Sequence, residues 1–319
     1  MSETGASPPT LEDLRAAAER IAPFAHRTPV LTSAGVDRAA GARVFFKCEC
    51  FQKVGAFKFR GATNAVRSLC EAEAARGVAT HSSGNHAQAL ALAARDRGVA
   101  AHVVMPETSA APKVAAVRGY GGRITFCAPT LEARETTLDE VVARTGAAFV
   151  HPYDDDRVIA GQGTAALELF EDVPELDALL APVGGGGLLA GTALAAHHLS
   201  PSVRVIAGEP AGADDAARSL AAGEIVPSVA PRTIADGLLT SLGERNFPII
   251  ARHVERIATV DDDATIRAMR LVWERMKVLI EPSAAVPLAA LLEGDLGLAG
   301  ARVGVILSGG NVDLDRLPW

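Results

Sequence analysis

The chain has few aromatic residues, no excess of basic residues and no cysteine spacing typical of a metal site. Aromatic residues make up 4% of its 319 residues, and 38 acidic against 31 basic side chains give a formal net charge of -7. Binding to a nucleic-acid backbone needs a basic excess, so we expect no nucleic-acid partner. Cys48 and Cys50 lie one residue apart, and no CxxC or His-Cys spacing occurs. This pattern favours buried thiols in a reducing compartment.

Signals for export and for membrane insertion are also absent. The first 20 residues carry acidic residues where a signal peptide needs positive charge and then an apolar stretch, so we expect a cytoplasmic protein. Residues 178–196 form an uncharged run about as long as a membrane span, but Pro182 and four consecutive glycines interrupt it. A buried strand, a glycine turn and a helix explain the same run, and we expect no membrane contact.

The sequence does contain an alternation of short apolar runs and alanine-rich stretches of helical period. The apolar runs, rich in valine or isoleucine, lie near Val44, Val103, Leu180, Val205 and Val305. The helical stretches cover residues 11–22, 87–95, 111–118, 131–144, 163–169 and 263–276. Strands that alternate with helices predict βαβ units and mainly parallel sheet, so the predicted class is α/β.

Three loops that follow predicted strands are rich in glycine or polar residues. They are SSGNH from Ser82, GGGG from Gly184 and SGGN from Ser308. Ligands of parallel α/β sheets bind beyond the carboxyl ends of the strands, so these loops predict one shared site.

The four glycines, Gly184, Gly185, Gly186 and Gly187, can turn backbone N–H groups toward an oxyanion at a helix start. A Walker loop would continue with Lys and Ser or Thr, but leucine follows here, and the Rossmann spacing is only partly met. By itself the run is equally consistent with a tight packing turn.

Lys58 lies between Phe57 and Phe59. Aromatic neighbours can desolvate an amine and lower its pKa, which favours the neutral nucleophile needed for a Schiff base. The alternative is a solvated surface lysine.

Five motifs carry a family resemblance. FQKVGAFKFRGA, HSSGNHAQALA, APVGGGGLLAG, GEPAGADDA and LSGGNVD occur in this order over residues 21–313. Together they resemble the serine/threonine dehydratase and serine racemase family of fold-type II pyridoxal 5'-phosphate (PLP) enzymes. The resemblance implies a tryptophan synthase β-like fold with two open, mainly parallel α/β domains. A small domain of residues 69–147 would be inserted in a large domain of residues 1–68 and 148–319, and a homodimer is expected.

The resemblance also implies the residues that bind the cofactor. Lys58 becomes the Schiff-base lysine, and Phe57 packs on the ring. Asn85 is the partner of the pyridine hydroxyl, and Ser308 faces the pyridine nitrogen. The glycines at 184–187 cradle the phosphate.

The resemblance also implies the residues that bind the substrate. Ser82, Ser83, Asn85 and His86 match the loop that binds the substrate carboxylate. An ordinary helix cap would explain one of these polar residues but not all of them.

GEPAGADDA supplies two carboxylates, Glu209 and Asp215, with the backbone carbonyl of Ala213 between them. Hard oxygen ligands suit Mg²⁺, with Ca²⁺ or Mn²⁺ as alternatives. Two acidic residues in a loop are usually solvated surface, and it is the resemblance that implies a divalent cation here.

Our first expectation is α,β-elimination, which converts L-serine or L-threonine to a 2-oxo acid and ammonia. Serine racemisation is an alternative, because it needs a second acid-base group opposite Lys58 and Ser83 matches that group. Tyr153 stands where racemases carry asparagine, which favours a dehydratase. A 3-hydroxyaspartate dehydratase is a further alternative if Arg134 holds a second carboxylate rather than being a surface charge. The remote alternative is a non-catalytic PLP-binding module, against which Lys58, Ser83 and Ser308 argue.

Overall fold

Residues 7–319 are described here from a computed structural model. They form two sheets. The larger sheet has six strands in the order β1-β2-β10-β7-β8-β9, and only the β1–β2 pair in it is antiparallel. Its strands are β1 (Val30–Leu31), β2 (Arg43–Cys48), β7 (Ala178–Pro182), β8 (Arg204–Pro210), β9 (Arg256–Val260) and β10 (Arg302–Leu307).

The smaller sheet has four strands in the order β5-β4-β3-β6, and all of its pairs are parallel. Its strands are β3 (Val78–His81), β4 (Ala101–Pro106), β5 (Arg123–Cys127) and β6 (Ala148–Phe149). They all fall between β2 and β7 along the chain. This placement agrees with an inserted unit, although β6 lies just beyond the predicted boundary at residue 147, and the boundaries themselves stay a prediction.

Thirteen α-helices join these strands within residues 7–319. They are α1 (Leu11–Ile21), α2 (Ala34–Ala40), α3 (Lys58–Ser68), α4 (Glu71–Ala74), α5 (Asn85–Arg97), α6 (Ala111–Gly119), α7 (Leu131–Thr145), α8 (Asp156–Asp172), α9 (Gly187–Leu199), α10 (Asp215–Ala222), α11 (Asn246–His253), α12 (Asp262–Met276) and α13 (Pro282–Glu293). The predicted α/β class is confirmed. Of the helices described, none is both long and apolar enough to cross a membrane.

The large sheet is covered on both faces. Leu179 and Ile306 pack with α8 and α9 on one face, whereas Leu180 and Val305 pack with α12 and α13 on the other. Successive strand residues point to opposite faces, so a strand buried on both sides is apolar throughout. This explains why the strands of this sheet stand out in the sequence as continuous apolar runs.

Helix α8 is much longer than the predicted 163–169, and a glycine inside it serves as a packing position. Asp155 caps its start by accepting a hydrogen bond from the N–H of Arg157 at 2.9 Å. A Cβ on Gly161 would lie 2.6 Å from the Cα of Gly61 in α3. The absence of that atom lets the two backbones touch, so α8 fixes the helix that begins at Lys58.

Candidate active site

Two of the three polar loops predicted to share a site are in contact, since the amide of Asn311 in the SGGN loop donates to the Oδ1 of Asn85 at 2.9 Å. The N–H of Phe57 donates to the carbonyl of Ser308 at 3.0 Å, and Ala56 pairs with Gly309 in an isolated β-bridge. The loop before Lys58 therefore lies directly against the loop that follows β10. Since both loops leave the carboxyl ends of strands β2 and β10, the parallel register of these strands brings them together.

Lys58 is the first residue of α3, and its side chain turns into the protein. Its Nζ donates to the carbonyl of Pro152 at 2.9 Å and lies 5.1 Å from the centre of the Phe57 ring. Burial lowers the pKa of Lys58 to about 8, although the carboxylate of Glu281 opposes that shift. The surface-lysine alternative is therefore wrong, and much of this amine is neutral at mildly alkaline pH.

The glycine loop joins β7 to α9 and has no room for side chains. A Cβ on Gly185 would lie 2.3 Å from the ring of Tyr153, so that ring packs directly on the loop backbone. The amide of Asn246 holds both segments, since it donates to the carbonyl of Gly185 at 2.9 Å and to that of Tyr153 at 3.1 Å. The N-terminus of α9 follows at Gly187, and its first N–H groups suit a phosphate.

The SSGNH segment forms the turn into α5. The N–H of Gly84 donates to the hydroxyl of Ser82 at 3.3 Å, and the helix begins at Asn85. Ser83 is half-buried in this turn. A helix of 13 residues thus presents its N-terminus beside two serine hydroxyls, which is an arrangement that suits a carboxylate.

Glu281, which sequence reasoning missed, connects two of these loops. It is 4% exposed, and its carboxylate accepts hydrogen bonds from the amide of Asn85 at 3.0 and 3.2 Å and from the N–H of Asn311 at 3.1 Å. The amide of Asn311 in turn donates to the Oδ1 of Asn85 at 2.9 Å. Burial and the charge of Asp236 raise the pKa of Glu281 to about 7. The orientation of the Asn85 amide is thereby fixed on both sides.

One buried and one half-buried imidazole, those of His86 and His151, lie near Lys58. His86 is 2% exposed, its Nε2 lies 3.4 Å from the carbonyl of Val150, and burial holds its pKa well below the usual value. Burial, with the charges of His81 and Lys58, also lowers the pKa of His151 to about 4. Burial therefore disfavours the charged form of both rings. The sequence did not indicate that His151 lies near Lys58, because a lone histidine before a proline carries no distinctive signal.

Arg134 lies in the first turn of α7 and adds a positive charge near His81. The pKa of His81, the residue that precedes Ser82, is lowered mainly by burial and secondly by the charge of Arg134. The ring of His81 lies 5.9 Å from that of His151, which connects Arg134 to the surroundings of Lys58. Within residues 7–319 the buried Nε of Arg134 has no hydrogen-bond partner. A buried donor without an acceptor is unfavourable, so the site keeps this guanidinium at a cost in stability.

The predicted metal ligands span the end of β8 and the start of α10, with Glu209 in the strand, Ala213 in the turn and Asp215 as the first residue of the helix. The two oxygens of Glu209 accept from the N–H groups of Ala216 and Ala217, both at 2.8 Å. The Oδ2 of Asp215 is buried and has no partner among the described residues. Burial raises the pKa of Glu209 to about 8 and also raises that of Asp215. A bound cation would stabilise the charged form of both carboxylates. Within residues 7–319, however, no group of three His, Cys, Asp or Glu side chains is placed to hold a metal ion.

Comparisons with known proteins agree with this arrangement. A family model described as "Pyridoxal-phosphate dependent enzyme" matches residues 21–309. The chain is 54% identical to the beta-hydroxyaspartate dehydratase of Paracoccus denitrificans over 311 residues, which cover 98% of this chain and 99% of the relative.

Two solved structures superpose over almost the whole chain. The serine racemase of Dictyostelium discoideum has a TM-score of 0.92 and 50% identity, covering 96% of this chain and 99% of the other. The threonine deaminase of T.th. has a TM-score of 0.92 and 47% identity, covering 97% of this chain and 100% of the other.

Proposed function

The chain belongs to the family of pyridoxal-phosphate dependent enzymes, and we propose that within it this protein is a dehydratase of 3-hydroxyaspartate. The observation that carries the choice of substrate is the half-buried Arg134, whose charge acts on His81, the residue directly before the SSGNH loop. A second carboxylate on the substrate can accept hydrogen bonds from the guanidinium of Arg134, whereas serine and threonine carry no such group. The high identity to a beta-hydroxyaspartate dehydratase supports the same choice. This proposal moves 3-hydroxyaspartate ahead of serine and threonine, which the sequence alone put first.

The residues present fit the cofactor. The N-terminus of α9 and the glycines at 184–187 would hold its phosphate. Lys58 would bond to its reactive carbon, and Asn85 would contact its ring hydroxyl. Ser308, which is 2% exposed at the end of β10, would meet the ring nitrogen. When bound, pyridoxal phosphate draws electrons away from the Cα of the substrate and makes its proton removable.

The protein positions the substrate and moves the proton. The N-terminus of α5, with Ser82, holds the α-carboxylate, and Arg134 holds the β-carboxylate. Two anchored carboxylates fix the orientation of the bond between Cα and its proton. The amine of Lys58, with its pKa near 8, then accepts this proton. Loss of the β-hydroxyl as water and hydrolysis of the enamine give oxaloacetate and ammonia.

A substrate panel tests this proposal. The PLP-loaded protein is assayed for 2-oxo acid and ammonia with L-threo-3-hydroxyaspartate, L-serine and L-threonine. We expect the highest kcat/KM with 3-hydroxyaspartate. A preference for serine or threonine would reject the role of the second carboxylate and restore the first expectation from the sequence. No turnover of any of the three, with cofactor bound, would favour the non-catalytic module.

Racemisation of serine is a second candidate, favoured by a specific observation. Ser83 is half-buried in the turn before α5 and matches the second acid-base group of racemases. The similarity to the Dictyostelium serine racemase supports it.

Ser83→Ala is expected to remove racemisation and to spare elimination, because only racemisation needs a proton donor on the face opposite Lys58. Chiral chromatography of residual serine, alongside the 2-oxo acid assay, measures both. Ser82→Ala serves as the matched control and should weaken both reactions together through carboxylate binding. Racemisation that persists in Ser83→Ala would disprove the assigned role.

We propose in addition that Glu209, Asp215 and the carbonyl of Ala213 bind Mg²⁺. A chelator should then lower the melting temperature, and added Mg²⁺ should restore it, since a ligand at 100 times its Kd stabilises the folded state by about 2.7 kcal/mol. Asp215→Ala should lose this response, whereas Asp214→Ala, which changes an exposed neighbour, should keep it. An unchanged melting temperature in the native chain would leave this loop without a metal.

A further inference from the structure

A cluster of charged side chains is buried against the first turn of α3. Its members, called the buried ion cluster below, are Lys47, Glu49, Arg60 and Glu168. The first three are fully buried, and 17% of the Glu168 side chain is exposed. Arg60 lies two residues after Lys58, and with 3.6 residues per turn their side chains leave opposite sides of the helix. The buried ion cluster therefore lies on the face of α3 opposite the amine of Lys58.

The guanidinium of Arg60 joins the two carboxylates of this cluster. Its Nε and Nη2 donate to the two oxygens of Glu49, both at 2.8 Å. Its Nη1 and Nη2 donate to the two oxygens of Glu168 at 2.7 and 2.8 Å. Nη1 also donates to the hydroxyl of Thr164 at 3.2 Å, and Nη2 to the carbonyl of His26 at 3.3 Å. Two bidentate contacts on a planar guanidinium allow it one orientation.

The buried ion cluster connects α3 to segments that lie far apart along the chain. Lys47, in β2, donates to the Oε2 of Glu168 in α8 and to the carbonyl of Thr28, both at 2.6 Å. Glu49 follows β2 directly. Burial alone would raise the pKa of Glu168, but Arg60 and Lys47 lower it. The two cations thus keep this carboxylate in its charged form, and two positive charges balance two negative ones.

The start of α3 depends on such distant groups. Phe57 occupies its N-cap position and has no polar side chain with which to cap the helix. The N–H of Gly61, at the end of the first turn, donates instead to the Oε1 of Gln162 in α8 at 3.1 Å. Strand β2 and helix α8 therefore hold the turn that begins at Lys58.

Stability alone does not require buried charges at this place. Replacing a buried ion cluster by well-packed apolar side chains of similar volume is often neutral or even stabilising. Apolar packing lacks the fixed geometry of bidentate contacts. An amine that removes a proton from one face of Cα needs such geometry, because a misplacement of about 1 Å can cost about 100-fold in rate.

We propose that Arg60 is a positioning residue, which holds the amine of Lys58 in place for the cofactor and the Cα proton through the buried ion cluster. It acts through the backbone of α3, so its loss displaces the amine without removing it. The proposal rests on Lys58 as the lysine that carries the cofactor, and it holds for each of the candidate substrates.

A charge-balanced double variant tests this role. Arg60→Met with Glu49→Gln removes one cation and one anion and leaves the contact between Lys47 and Glu168. We expect the PLP-loaded variant to keep its cofactor on Lys58, with an altered visible circular dichroism of the cofactor. Its kcat should fall by about 100-fold, whereas KM should change little, because the amine is misplaced and the substrate loops are intact. A merely structural role would lower the melting temperature and leave the circular dichroism and kcat of the folded protein unchanged.

Two further variants complete the test. Arg60→Lys keeps the charge but loses the bidentate contacts, so its kcat should lie between those of the native protein and of the double variant. Arg27→Met with Glu171→Gln is the matched control, since it removes an exposed ion pair of 2.7 Å between the segment before β1 and α8. This control should keep the native circular dichroism and kcat.

The proposal is overturned if the folded double variant has the native visible circular dichroism and the native kcat. If that variant does not fold, Arg60→Lys decides in the same way, and native values in it overturn the proposal. The circular dichroism of the bound cofactor needs no turnover. It therefore decides the role of Arg60 even if 3-hydroxyaspartate, serine and threonine all fail as substrates.

Discussion

Lys58→Ala is expected to abolish turnover and the visible absorbance of bound PLP. The amine that lies 2.9 Å from the carbonyl of Pro152 is both the anchor of the cofactor and the acceptor of the Cα proton in our account. Removing an acid-base group alone costs about 100-fold to 10,000-fold in rate, and the loss of the anchor adds to this. Absorption spectra and 2-oxo acid assays at matched protein concentration measure both effects.

Lys53→Ala is the control for this variant. Lys53 lies in the same segment, with its Nζ 5.4 Å from the centre of the Phe59 ring, yet it has no role in the proposed chemistry. It should retain the absorbance and the activity. Normal absorbance in Lys58→Ala would show that another lysine holds the cofactor.

Arg134→Ala is expected to change which substrate is preferred. Loss of a charge-assisted contact worth about 3 kcal/mol lowers kcat/KM for 3-hydroxyaspartate by about 100-fold. Turnover of L-serine, which has no second carboxylate, should change little. With 3-hydroxyaspartate, kcat/KM of Arg134→Lys should lie between the values of the native protein and of Arg134→Ala, because lysine keeps the charge but loses the bidentate geometry. Steady-state kinetics with both substrates measure the ratio.

Arg144→Ala tests whether the effect is specific to that position. Arg144 lies in the last turn of the same helix, on its exposed side, and should leave both substrates unaffected. An equal loss with serine and with 3-hydroxyaspartate in Arg134→Ala would show that Arg134 supports the fold of the site rather than binding the β-carboxylate.

Much of this site was readable from the sequence, because its parts are backbone features with local signatures. The glycine run and the loop after β10 follow apolar strands of the larger sheet, and parallel pairing alone brings these two loops to one edge. The serine turn before α5 follows β3 of the smaller sheet, so its place beside them depends on how the two sheets pack. Lys58 could be singled out by its aromatic neighbours. Its partners could not, since the carbonyl of Pro152 and the charge of Glu281 come from segments that lie far along the chain.

The parts that escaped the sequence depend on packing between distant segments. Helix α8 begins at Asp156 rather than at the predicted residue 163, and the contact of its Gly161 with Gly61 is not visible in the sequence. Glu281 precedes Pro282 at the start of α13 and reads as an ordinary helix cap, so nothing local indicates its bond to Asn85. The unpartnered Nε of Arg134 likewise appears only when the surroundings of α7 are known.

Borohydride reduction tests most directly whether Lys58 holds the cofactor, on which the whole account depends. Reduction of the PLP-loaded protein fixes the cofactor to the amine that carries it, and mass spectrometry of the digest then identifies that lysine. We expect the added phosphopyridoxyl mass on the peptide that contains Lys58. The same mass on Lys47 or Lys53, or on no lysine at all, would contradict the account.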